Sequence, residues 1–194
     1  MKKGLLALLL AIAAVIVAWG TKTYNGLVKE EENVATAWAQ VENVYQRRAD
    51  LIPNLVATVK GYAEHESGTF ESVTEARAKA TSVTVDPSLL TPESIAEFQK
   101  AQGELSTALG RLMAIQENYP DLKASENFRE LQAQLEGTEN RISTERMKFN
   151  EASKAYNVKV RRFPGNIIAG IFNFSTKGYF QAAEGASAAP KVEF

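Results

Sequence analysis

The sequence predicts an all-α protein, an N-terminal transmembrane helix followed by a bundle of long antiparallel helices with coiled-coil-like packing. Residues Leu5 to Trp19 form an unbroken apolar run. Beyond it, apolar residues recur in alternating steps of four and three, the 3.5-residue period of helices packed along a common seam. The chain has 194 residues, which suits one domain plus an appendage. It has no cysteine, which excludes a disulfide framework, thiolate chemistry, a Cys-based zinc site and a lipid anchor on an N-terminal Cys. Its 22 Lys+Arg against 23 Asp+Glu argue against nucleic acid as a partner, because phosphate binding needs a net basic face.

The apolar run with its flanking glycines, Gly4 and Gly20, amounts to about 17 residues and so about 25 Å of helix, the short end of a membrane span. Lys2 and Lys3 precede it, and Trp19 and Tyr24 stand at its far end as interface anchors. The alternative is a cleaved signal peptide, with Ala18-Trp19-Gly20 resembling a small-x-small cleavage site; the run is long for that. Lys2, Lys3 and the terminal amine outnumber Lys22 and Lys29 by about one charge, which favours a cytoplasmic N-terminus and a body outside the cytoplasm. Ala7, Ala11, Ala14 and Ala18 recur at steps of four, three and four, a small-residue stripe that would let spans approach closely in lipid.

The first body helix carries its stripe at Val34, Trp38, Val41, Tyr45, Arg48, Ile52, Leu55, Val59 and Tyr62. The same steps reach back to Glu31 and Leu27, but Glu31 is charged, so the rhythm is clear only from Val34. Pro53 lies inside the pattern and is expected to kink the helix, since it removes the bond to the Ala49 carbonyl. The stripe continues at Glu66, Phe70, Val73, Arg77 and Ala80, with a bend or break expected near Gly61 and Gly68. Thr91 and Pro92 read as N-cap and first residue of the next helix, whose stripe is Ile95, Phe98, Gln102, Leu105, Leu109, Leu112 and Gln116. Tyr119-Pro120-Asp121 breaks it, and Ser125 can cap a further helix with Phe128, Leu131, Leu135, Thr138, Ile142, Glu145, Phe149, Ala152 and Tyr156 on one face.

The candidate organisation is a membrane anchor at 1–24, a helical bundle at 25–162, an apolar C-terminal segment at 163–184 and a flexible tail at 185–194. Phe163, Ile167, Ile168, Ile171, Phe172 and Phe174 crowd the third of these, more apolar surface than water tolerates. The segment is either a cap on the bundle, a contact with a neighbouring subunit, or an insertion at a membrane interface beside Arg161 and Arg162. Arg48 and Glu145 occupy stripe positions and form a candidate core polar pair, with Glu139, Asn140, Arg141 and Arg146 as alternative partners. His65, the one histidine, has no metal-ligand spacing around it. No catalytic constellation, cofactor motif or metal site is legible.

Three blocks resemble the LemA family of bacterial proteins. The first holds Tyr24-Asn25, Leu27-Val28, Ala37-Trp38 and RRADLIPNLVATVKGYAEHE from Arg47 to Glu66. The second is ENYPDLKASENFRELQAQLEGTENRI, from Glu117 to Ile142. The third is FPGNIIAGIFNF with Tyr179-Phe180 and Pro190-Lys191-Val192. The resemblance implies one N-terminal transmembrane helix and a mostly helical bundle and points to an envelope role; it does not imply an activity, since the family has no settled biochemical function. It also implies a small N-terminus outside the cell, opposite to the charge bias. The expected partners are the lipid bilayer and further copies of the chain in a homo-oligomer, as a self-associating structural or scaffolding component of the bacterial inner membrane. An adaptor for another envelope protein is the alternative.

Overall fold

The computed structural model describes residues 2–182; the tail expected to be flexible, 185–194, lies outside them. The described residues are helical with no strand. The long helices are α1 (Lys2–Lys60), α2 (Ser67–Ser82), α3 (Pro92–Ala114) and α5 (Glu126–Arg161); α4 (Pro120–Ala124) and α6 (Gly165–Ile171) are short. The chain divides into two compact units.

The first unit comprises Met1–Tyr45 and Arg141–Lys177. Its α1 and α5 segments run antiparallel and meet along the expected stripes. Leu27, Val34, Trp38 and Val41 are buried, as are Ile142, Phe149 and Tyr156, and the Trp38 ring meets Phe149 edge-on at 5.3 Å. By contrast, Leu5 to Trp19 are exposed throughout, and this part of α1 is long and apolar enough to cross a membrane. Helix α6 folds back along α1: Ile168 Cδ1 lies 3.7 Å from where a Cβ on Gly20 would sit. Asn173, at φ 58°, ends α6, and the Phe174 N–H reaches the Ala169 carbonyl at 2.9 Å. This is a left-handed C-cap, in which Asn is the commonest substitute for Gly. It delivers Phe172 and Phe174 edge-on to the Tyr24 ring, at 4.8 and 5.6 Å.

The second unit comprises Gln46–Asn140 and Gly178–Phe194. The end of α1, α2, α3 and the start of α5 surround one core that includes Ile52, Leu55, Val59, Val73, Leu105, Leu109, Leu112 and Phe128. The expected break falls at residues 61–66, where a turn separates α1 from α2. The turn shifts the register, so Ala63 is buried and Tyr62, expected in the stripe, is exposed. Thr91 caps α3 by accepting from the Ser94 N–H at 3.2 Å, and Ser125 Oγ accepts from Phe128 N–H at 3.4 Å. Past Lys177 the chain is held by Gly178 N–H on the Leu90 carbonyl at 2.8 Å, and a Cβ on Gly178 would stand 2.8 Å from Pro92 backbone atoms. Gln181 exchanges two hydrogen bonds with the Gln99 side chain, at 3.0 and 3.1 Å.

Helix α1 continues through Pro53 to Lys60. The carbonyl that Pro53 leaves without its helical donor belongs to Ala49, and Arg77 Nε donates to it at 2.8 Å. A buried carbonyl without a donor is costly, so the arginine from α2 makes the proline tolerable in α1. Arg77→Ala is therefore expected to cost about 1–3 kcal/mol in the wild type. In a Pro53→Ala background, where the backbone N–H at 53 returns, it costs clearly less. Urea unfolding of the four proteins in mild detergent, followed by circular dichroism, reads the difference, and equal costs in both backgrounds would contradict this pairing.

Candidate functional site

Two groups of polar side chains are built into the helical faces, one in each unit. In the second unit Arg48 is 1% exposed. Its Nη1 donates to Ser106 Oγ and to Glu139 Oε1, both at 2.8 Å, and its Nη2 donates to Gln102 Oε1 at 2.6 Å. Gln102 Nε2 in turn donates to the Ala80 carbonyl at 3.1 Å. One guanidinium thus ties α1 to α3 and α5, and through Gln102 to α2. The carboxylate that Arg48 meets is Glu139, so the expected pairing with Glu145 is corrected. Glu145 instead binds Lys148 one turn along its own helix, at 2.8 Å. Glu139 lies one residue past the stripe position Thr138, and its carboxylate comes within reach of the guanidinium while keeping its outer side in water, 44% exposed.

In the first unit the charged core position is Glu31, the residue where the stripe becomes ambiguous in the sequence. Lys177 Nζ lies 2.8 Å from Glu31 Oε1 with its side chain only 3% exposed, and 5.6 Å from the Tyr156 ring centroid. Asn157 fixes the lysine's backbone, its Nδ2 donating to the Lys177 carbonyl and its Oδ1 accepting from the Lys177 N–H, each at 2.8 Å. Tyr156 is fully buried, and its phenol is pushed well above the ordinary tyrosine range, first by burial and then by the Glu31 carboxylate beside it. Nothing in the spacing of Lys177 marks it as a core residue; the signal available was Glu31 itself, a charge at a stripe position that required a partner.

The third feature is where the apolar run ends. Trp19, Lys22, Thr23, Gly26 and Leu27 of α1 face Lys159 and Arg162 at the end of α5 and Phe163 to Gly165, enclosing a recess of about 560 Å³. Lys159 binds Glu30 at 2.6 Å, and that hydrogen bond holds the Glu30 carboxyl below its ordinary range. Of the residues singled out for contact, Phe163 lines this recess. Phe163, Ile167, Ile171 and Phe172 are exposed, Phe163 at 76%, while Ile168 is buried and Phe174 half-buried. Ala7, Ala11, Ala14 and Ala18 are all exposed on α1. His65 is exposed in the turn after α1, and among the described residues no group of His, Asp and Glu is arranged to hold a metal ion.

These features define an α-helical bundle protein whose first helix begins with an exposed apolar stretch of bilayer length. The LemA family model matches residues 37–194, and the chain belongs to the LemA family. It is 29% identical over a 203-residue alignment to magnetosome protein MamQ of Magnetospirillum gryphiswaldense, covering 93% of this chain and 74% of that relative. It is 27% identical over 175 residues to magnetosome proteins MamQ 1 and MamQ 2 of Paramagnetospirillum magneticum, covering 81% of this chain. The chain spans 64% of the length of those two relatives. Protein LemA of Metamycoplasma hominis is 23% identical over 160 residues, covering 82% of this chain and 69% of that protein. None of these names is that of an enzyme.

Removing Glu31 takes the paired carboxylate from a buried ammonium, whereas removing Lys177 leaves a carboxylate that still reaches water. Glu31→Gln is expected to cost about 3 kcal/mol or more, and Lys177→Met distinctly less, by denaturant unfolding. The reverse order would contradict Glu31 as the charge partner of this buried lysine. The Tyr156 shift has its own signature. A phenol whose folded pKa is raised contributes stability that is intact below the unfolded value near 10 and is lost as the pH rises beyond it. Above that pH the wild type should lose stability more steeply than Tyr156→Phe, by up to about 1.4 kcal/mol per pH unit. Parallel curves would show that the phenol is not shielded.

Proposed function

We propose that this protein is a single-pass membrane-anchored structural component of the bacterial envelope that self-associates through its span and rests the outer face of α6 on the bilayer surface. The observation that carries the reading is the position of exposed apolar surface. Leu5 to Trp19 are exposed around the whole helix, and Phe163, Ile167, Ile171 and Phe172 form a second exposed apolar group near its end, Phe163 in the recess with Trp19 and Phe172 on the Tyr24 ring. Surface of this extent is unfavourable in water and favourable at a lipid interface. Trp19 and Tyr24 stand at the depth where aromatic side chains prefer to lie. The alanine stripe is open on the same helix and supports close approach of a second copy.

The names of the three magnetosome proteins that it matches give no reaction, in keeping with a structural role. The two buried charge clusters hold helices together.

Light scattering of the full-length protein in mild detergent tests self-association. A discrete oligomer is expected, and Ala11→Leu with Ala14→Leu, which thickens the stripe, should reduce its mass at least twofold while Ile167→Ser with Ile171→Ser leaves it unchanged. A monomeric wild type would overturn the scaffolding reading and favour an adaptor that captures another envelope protein.

A further inference from the structure

We propose that the recess between the start of the body in α1 and the end of α5 binds the phosphate of an anionic phospholipid headgroup, held by Lys22 and Arg162. The inference rests on the membrane-anchored reading above. The recess holds about 560 Å³, within the range of small-molecule sites. Three cations line it, and they are not equivalent. Lys159 is neutralised by Glu30 at 2.6 Å. Lys22 and Arg162 are exposed and have no acidic partner among the described residues, which leaves two positive charges facing one cavity. An arginine fork beside an ammonium is the donor set that suits a phosphate oxyanion, the first bidentate and the second a point charge.

The walls say where that phosphate comes from. Trp19 closes the apolar run, so the mouth of the recess opens at the depth of lipid headgroups. Phe163, the most exposed aromatic of the described residues, flanks it on the other side. Between them Gly26 presents no side chain, and a Cβ there would meet nothing within 4 Å, so the centre of the recess is open. A soluble phosphate would gain nothing from two large apolar residues at the rim, whereas the acyl chains of a lipid would continue along Trp19 and Phe163 into the hydrocarbon. Gly165, on the opposite wall, lets the α5–α6 connection sit close: its absent Cβ would be 3.2 Å from the Lys159 carbonyl.

Native mass spectrometry of the full-length protein, extracted in mild detergent with phosphatidylglycerol or with phosphatidylcholine of the same acyl chains, tests this. The wild type should retain one phosphatidylglycerol with a preference of roughly tenfold. Lys22→Gln with Arg162→Gln should abolish the preference, Lys22→Arg with Arg162→Lys should keep it, and the exposed control pair Lys100→Gln with Lys123→Gln should leave it intact. Equal retention of the two lipids by the wild type, or a preference that survives in the glutamine pair, would overturn the site. Displacement of the lipid by excess inorganic phosphate would overturn the lipid as its occupant. Retention of the wild type in membranes after alkaline washing is read in parallel: a retained but unselective protein overturns the site and leaves the anchor standing, whereas a released protein overturns the anchor and the site together.

Discussion

Helix α1 carries two surfaces with opposite demands on one continuous backbone. Its first part exposes every side chain from Leu5 to Trp19, and from Leu27 onward it buries one stripe. In hydrocarbon each backbone N–H and C=O must be bonded within the segment, and an unbroken helix meets that demand. The same helix then supplies core residues to each of the two compact units, Trp38 in one and Ile52 to Val59 in the other. Most other features answer to it. Gly20 accommodates Ile168, Tyr24 receives two phenylalanine edges, and the Ala49 carbonyl left open by Pro53 is taken by Arg77.

The buried charges are the places where these stripes depart from apolar residues, and they are handled in two ways. Arg48 spreads its charge over a carboxylate, a hydroxyl and an amide, and the carboxylate keeps contact with water. Lys177 is buried as a compact ammonium against Glu31 and the Tyr156 ring, and its backbone is clasped by Asn157. An ion pair of this kind contributes little net stability against an apolar replacement, but it penalises every alternative register, because a shifted register strands a charge. That gives a physical reason for a repetitive heptad pattern to settle into one alignment. It also adds a charged anchor at Lys177 to the aromatic and hydrogen-bonded contacts that hold the C-terminal segment.

Much of the fold was legible because it obeys one period. Val34 to Val59, Ile95 to Leu112 and Phe128 to Tyr156 were placed on buried faces by spacing alone, and Thr91 and Ser125 were found as caps from side-chain chemistry. The exception in the first stripe, Tyr62, follows from the turn at 61–66, which resets the helical phase. The heptad puts Glu145 on the inward face, but Arg48 meets Glu139, one of the alternative partners, which flanks the stripe beside Thr138; an arginine long enough to reach past the seam escapes a reading by period alone. Lys177 was invisible for a different reason: it lies in an irregular segment, where no period applies, and its burial depends on Glu31, nearly 150 positions earlier in the chain. The recess at Lys22 and Arg162 was hidden likewise, since only the antiparallel return of α5 brings those two residues to one end.

The central claim is that the exposed face of α6 lies in the bilayer interface beside the end of the apolar run. The chain contains no cysteine, so Ile171→Cys offers a single site for a nitroxide label. Electron paramagnetic resonance of the labelled full-length protein in lipid vesicles compares collisions with oxygen, which concentrates in lipid, and with a water-soluble nickel chelate. The account predicts strong oxygen and weak nickel access at position 171, and the opposite for a label placed by Glu117→Cys in the exposed turn after α3. Nickel access at 171 equal to that at 117 would contradict it.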